Sequence, residues 1–428
     1  MSLLKEISEL VNANVISQET AEKIQNYYKE KGNKTYSKTL LIFGVLGALL
    51  IGLGIILIAA HNWDLFSKTT KLIVSFIPLF TGQILCGYSF FKKHENIVWK
   101  ESGSTFLFFA IGANISLIGQ IYNLHSDLSL FIITWMLIFF PIIYLMRSST
   151  GSLLYLIGIT FYACENGYWA FPTSESIYYW ILLLILMPHY YSLIKRDPQS
   201  NFLNLHNWFI PLSIIISLGI VANKFEEFMF LAYFSLFSLF QIIGNLNFAK
   251  NTKSKVNGYT FFGSLGIIVI LLILSFEWFW NDLQNKSFQF NAVIFSPELI
   301  STIIISAISF YLFIKISKSK SQKEFDWGSL MFVVFILIFF IGFYTHISVV
   351  LINLLTLSIG IITIKRGADQ NHLGILNYGL LIVTSLIACR FFDTDLSFVT
   401  RGIIFIVVGI GFFLSNFWML KKRRSNVK

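Results

Sequence analysis

Apolar runs of near twenty residues alternate with short polar breaks from about residue 39 to residue 419. As a helix, such a run is long enough to cross a hydrocarbon core about 30 Å thick. The pattern predicts spans over about 39–60, 70–91, 103–122, 128–146, 151–170, 177–194, 207–223, 227–247, 258–280, 298–316, 327–344, 347–364, 373–391 and 398–419. Short breaks should leave neighbouring helices antiparallel. The expected fold is all-α, a polytopic integral membrane bundle of about 14 transmembrane helices.

Residues 1–37 follow a different pattern. Leu3, Leu4, Ile7, Leu10 and Val11 repeat at helical spacing, and Asn12-Ala13-Asn14 can end that helix. Ser17 suits an N-cap, with Glu19 and Glu22 in the turns that follow. Ala21, Ile24 and Tyr28 carry an apolar stripe to Lys31-Gly32, where a short tether to the membrane is expected. The domain reading is a cytosolic helical hairpin at 1–37, a transmembrane bundle at 38–420 and a basic tail at 421–428. The hairpin either packs on the protein's own cytosolic face or binds a cytosolic protein partner. No early apolar core of a cleavable signal peptide precedes the first span.

Charge then gives the bundle a direction. With the N-terminus inside and every span real, 26 of the 32 Lys and Arg fall on the cytosolic side. That is a strong positive-inside signature, and both termini are expected in the cytoplasm. The acidic residues divide evenly, so the outer face is net acidic and the inner face basic. The net charge of +10 does not indicate nucleic acid, because the basic residues sit at segment ends and form no soluble patch. With 55% hydrophobic and 13% charged residues, the chain cannot present an ordinary water-facing surface, and its partner is the lipid bilayer. Trp63, Trp99, Trp169, Trp208, Trp278, Trp280, Trp327 and Trp418 lie at segment ends, as an interfacial belt requires. Cys86, Cys164 and Cys389 are far apart and read as lone packing thiols.

Candidate chemistry concentrates at the outer ends of the spans. His61, Asn62, Asp64, Asn123, His125, Asp127, Glu165, Glu277, Arg390, Asp393, Asp395 and Arg401 gather there, with Glu226, Glu227 and Asp282. Such a face could hold a cation, a sugar or a lipid headgroup, or could simply be hydrated loop ends. Arg390 and Arg401 should pair with Asp393, Asp395 or another outer carboxylate, because an unpaired Arg there is costly. A metal would need His61, Asp64, His125 and Asp127 to converge, and no metal or other cofactor is expected. At mid-depth the polar residues are neutral: Gln83, Asn114, Asn353 and Asn377, with Gln120 nearer the outside. They would bond across helices or line a path. Gly44, Ala48 and Gly52 form a small-residue stripe suited to close helix packing.

Several stretches resemble a prokaryotic family of predicted membrane proteins, domain of unknown function 2157. They are Asn14-Val15-Ile16-Ser17, Ala59-Ala60-His61-Asn62-Trp63-Asp64 with Lys71-Leu72, Ile118-Gly119-Gln120-Ile121-Tyr122-Asn123-Leu124, and Trp135. The resemblance is clearest over residues 10–150. Arg390-Phe391-Phe392-Asp393 and Arg401-Gly402 match less specifically. It implies a multi-pass protein of the prokaryotic cytoplasmic membrane and supplies no activity. No Walker A loop, dinucleotide fingerprint, H-E-x-x-H or G-x-S-x-G motif is present, so the sequence leans away from an enzyme. Transport or translocation of a small or lipid-linked substrate ranks first. An envelope enzyme using the outer acidic face, or a sensor or scaffold using the hairpin, are the alternatives. The sequence does not set the oligomeric state.

Overall fold

The computed structural model describes residues 15–62, 66–124, 127–168, 177–250, 257–286, 290–319 and 331–393, with scattered positions before residue 14 and after residue 398. Among these residues regular structure is entirely helical. Eight helices are long and apolar enough to cross a membrane, or nine if one sharply bent pair counts as a span. Shorter apolar helices add Ile42–Gly54, Met331–Gly342 and Leu373–Cys389. The protein is therefore a multi-pass helical membrane protein. By backbone contacts the chain divides into two compact units, Met1–Arg196 and Asp197–Lys428.

The first unit holds α1 (Gln18–Asn62), α2 (Lys68–Lys92), α3 (Ile97–Ile121), α4 (Leu128–Met146), α5 (Ser149–Tyr168) and α6 (Ile177–Arg196). The tether expected at Lys31-Gly32 is absent, because α1 continues through it without a break. One glycine costs a helix only about 1 kcal/mol, which 45 residues of continuous helix absorb. Helix α3 is the hub and packs on α1, α2, α4 and α5. It begins at Ile97, six residues before the expected start of the span at 103, because the Asn96 side chain caps Val98 N and Trp99 N. The stripe Gly44, Ala48, Gly52 packs on α3 as its spacing predicts. Ala48 clusters with Phe106 and Ala110, and a Cβ on Gly52 would stand 3.0 Å from Phe109 Cβ.

The second unit holds α7 (Asn201–Leu218), α8 (Met229–Gly244), α9 (Gly258–Ile273), α10 (Glu277–Asn285), α11 (Pro297–Ser319), α12 (Met331–Gly342), α13 (Ile347–Asp369) and α14 (Leu373–Asp393). Its hub is α8, which packs on α7, α9, α11 and α12. Here aromatic rings fill the centre. Phe234 stacks on Phe335 with ring centroids 3.9 Å apart and planes 4° from parallel. Helices α13 and α14 pair closely through glycine, since a Cβ on Gly379 would come within 2.6 Å of Ile364 N.

The expected span 258–280 is not one straight helix. It breaks at Leu274-Ser275-Phe276, and α10 leaves α9 at 72°. A break at membrane depth frees carbonyls that must find donors inside the protein. Trp280 Nε1 donates to Leu274 O at 2.8 Å, and Asn353 Nδ2 to Ser275 O at 3.2 Å. Farther along, Gln284 Nε2 donates to Gly342 O, at the C-terminus of α12.

Candidate functional site

In the first unit, α1, α2 and α3 form a cleft of about 840 Å³. Phe43, Ile51, Ile77, Leu85, Val98 and Phe106 make much of its wall. Small residues give it depth. A Cβ added to Gly47 would meet nothing within 4 Å, so this side of α1 stands away from its neighbours. Near one end, Gly44 brings α1 close to α3, where its Cβ would lie 2.6 Å from Ser102 Oγ. That hydroxyl is buried and has no hydrogen-bond partner in the described structure.

Trp99 and Val98 line the cleft at the start of α3. Three cations lie in this stretch of the chain. Lys92 and Lys93 close α2 and are exposed, and the half-buried Lys100 follows Trp99. Between them are exposed His94 and Glu95, with His94 Nε2 3.3 Å from Glu95 Oε1. In the expected orientation this basic stretch of the chain lies on the inner side; its lysines do not themselves line the groove.

Next to Lys100, Glu101 is 2% exposed and is not among the sequence candidates. Its carboxyl ties α3 to the start of α5. Oε1 accepts from Ser149 N at 2.9 Å, and Oε2 accepts from Ser148 Oγ at 2.5 Å and Thr150 N at 2.8 Å. The two backbone donors are among the first N–H groups of a helix, which lack partners within it and favour a negative group. Ser148 itself accepts from Gly151 N at 3.0 Å and acts as an N-cap. Arg147 enters this turn in the left-handed region, at φ 50°. The sequence signal was the run Ser148-Ser149-Thr150-Gly151 before an apolar segment, but nothing local to it points to Glu101.

In the second unit Glu298, in the first turn of α11, is 0% exposed. Its Oε1 accepts from Asn223 N at 2.6 Å and Phe225 N at 3.1 Å, which holds the turn after α7. Its Oε2 is buried with no partner in the described structure.

The outer-face candidates separate into several settings. Asn123 follows α3 in the left-handed conformation that asparagine tolerates, at φ 50°. Asp127 is the N-cap of α4 and accepts from Ser129 N. Glu165 is half-buried on α5, and Glu277 is exposed in the first turn of α10. His61 and Asn62 lie on the last turn of α1, and Arg390 and Asp393 on the end of α14, with side chains outside the described set. Asp64, His125, Asp395 and Arg401 lie outside the described residues altogether. Among the described residues no three His, Cys, Asp or Glu side chains are placed to hold one metal ion.

The mid-depth amides also have separate settings. Asn114 is buried and donates to Ser75 O at 2.9 Å, joining α3 to α2. Asn353 serves the break after α9 as described. Gln83, Gln120 and Asn377 are exposed on the surfaces of their units.

Neither a curated protein nor a solved structure matches the chain. The family model described as predicted membrane protein (DUF2157) matches residues 8–163, a stretch that contains the whole cleft. Over that stretch the chain is similar to the DUF2157 family of predicted membrane proteins.

Proposed function

We propose that this protein binds an anionic membrane lipid, or a lipid-linked anionic substrate, as the first step of moving it. The carrying observation is the cleft of about 840 Å³ on α1, α2 and α3, apolar along its wall, with Lys92, Lys93 and Lys100 in the chain on either side of its lining residues Val98 and Trp99. Its volume lies within the roughly 300–1,000 Å³ of pockets that enclose a small ligand. An apolar groove between membrane helices has no water to fill it, and a hydrocarbon chain is its natural occupant. The cations then meet an anionic headgroup at the interface, each worth about 1 kcal/mol near a membrane surface. The amides at mid-depth lend no support to a polar path, since Gln83 is exposed and Asn114 is spent on a backbone carbonyl.

The orientation belongs to the same proposal. With about fourteen spans and both termini in the cytoplasm, Lys92, Lys93 and Lys100 would lie at the inner leaflet, where anionic lipids attract them. Supporting this count, helices occupy every expected span up to residue 393, with α9 and α10 sharing one. The setting would be the cytoplasmic membrane of a prokaryote.

Two experiments test the proposal. A phosphatidylglycerol with a photoactivatable acyl chain should crosslink to α1–α3 residues lining the cleft, and excess unlabelled phosphatidylglycerol should compete. Crosslinks scattered evenly over all helices would overturn the site. For orientation, a single cysteine at Asn371→Cys should react with an impermeant thiol reagent only from the cytoplasmic side, and one at Asn123→Cys only from outside. The reverse labelling would overturn the topology.

A further inference from the structure

A second pocket, of about 390 Å³, lies in the other unit between the 3₁₀ turn Glu226–Phe228 and helix α10. Its chemistry is opposite to that of the cleft. Glu226, Glu227 and Asp282 supply three carboxyl groups, and Phe230, Trp278 and Phe279 supply aromatic surface. One cation, Lys286, completes the lining with Asn285.

The fold holds these groups in place for identifiable reasons. Buried Glu298 grips the backbone at Asn223 and Phe225, which fixes the turn presenting Glu226 and Glu227. On the other wall, α10 buries Phe279, Trp280 and Leu283, leaving Trp278 and Asp282 exposed. Glu227 is 9% exposed, and its Oε2 has no partner in the described structure. Its Oε1 receives the Lys286 ammonium. Lys286 is itself mostly exposed, so its ammonium reaches in from the surface to the buried carboxyl.

We infer that this pocket is a binding site for an organic ammonium, and that Lys286 stands in it as the protein's own occupant. Three observations converge on this. The lining carries two more acidic than basic side chains, so it still favours a cation after the Lys286 pair is formed. Glu226 and Asp282 are exposed toward solvent and in no ion pair among the described residues. Aromatic faces beside carboxyl groups suit an alkylammonium, through cation–π attraction and apolar contact with its carbon substituents. The carboxyl groups are not gathered closely enough to hold one metal ion. Hydrogen bonding and charge from Glu227, then Glu226 and Asp282, raise the Lys286 pKa above its ordinary value, as expected where an ammonium is favoured. Lys224 is exposed nearby but does not line the pocket. This site stands independently of the lipid cleft.

The test uses the full chain in phosphatidylglycerol nanodiscs, with n-butylammonium chloride as the probe because it reproduces the Lys286 side chain. Calorimetric titration should show saturable binding above a matched potassium chloride control. K286A should tighten binding at least tenfold by removing the built-in competitor, and K286Q should do the same with the side-chain length kept. The double variant E226Q/D282N, at two exposed positions, should weaken binding at least tenfold. The source of the ammonium is read by adding phosphatidylethanolamine to the discs. Competition with butylammonium identifies a lipid headgroup, and unchanged binding identifies a soluble amine. No saturable binding to K286A, or an unchanged constant in E226Q/D282N, would overturn the inference.

Discussion

Each unit contains a buried glutamate that holds a neighbouring chain segment, yet the two are not equivalent. Glu101 in the first unit uses both oxygens on three donors from Ser148, Ser149 and Thr150. Glu298 in the second uses one oxygen on Asn223 N and Phe225 N and leaves the other without a partner in the described structure. The same side chain thus makes a closed latch in one place and a half-satisfied one in the other. The closed latch fixes the polar end of a unit whose candidate site is an apolar cleft. The half-satisfied one supports the turn that presents Glu226 and Glu227 to an acidic pocket. Burial alone therefore does not tell these two carboxyl groups apart; the number of donors each accepts does.

Isosteric amides should separate the two most sharply. Glu101→Gln must turn an NH₂ group toward backbone or hydroxyl donors, so it should destabilise the protein by about 2–4 kcal/mol. A clear fall in the thermal unfolding midpoint in detergent would show this. Ser148→Ala removes one donor to Glu101 and the cap on Gly151 N, and should cost about 1–2 kcal/mol by the same measurement. Glu298→Gln should be nearly silent, within about 0.5 kcal/mol, because its amide oxygen can keep both N–H bonds while NH₂ takes the unpaired position. Equal losses from Glu101→Gln and Glu298→Gln would break the comparison.

Much of the helix plan was legible, because apolar runs of near twenty residues leave few alternatives to helix. The Gly44, Ala48, Gly52 stripe was legible too, since its i, i+4 spacing sets one packing face. What escaped the sequence depended on contacts far apart in the chain. Glu101 looks like an ordinary polar residue before an apolar run, and its donors lie 47 to 49 residues away. The break after α9 falls in a run as hydrophobic as its neighbours. It is stabilised by Trp280 and by Asn353, whose donor reaches 78 residues back. Hydropathy placed Gln83 and Asn114 at similar depth but could not tell the exposed face from the packed one. The cleft was invisible for the same reason: Gly47 differs from Gly44 only in what stands opposite.

That last difference offers the most direct test of the proposed lipid site. A Cβ meets nothing within 4 Å at Gly47, which lines the cleft, nor at Gly54, which does not. Leucine should therefore be accommodated at both, and replacing a helical glycine should not itself destabilise either variant. Native mass spectrometry of the full chain, exchanged from phosphatidylglycerol membranes into detergent, would read retained lipid directly. The account predicts one bound anionic lipid on the wild type and on Gly54→Leu, and at least a tenfold loss of it on Gly47→Leu. Equal lipid retention by all three, or none by the wild type, would contradict it.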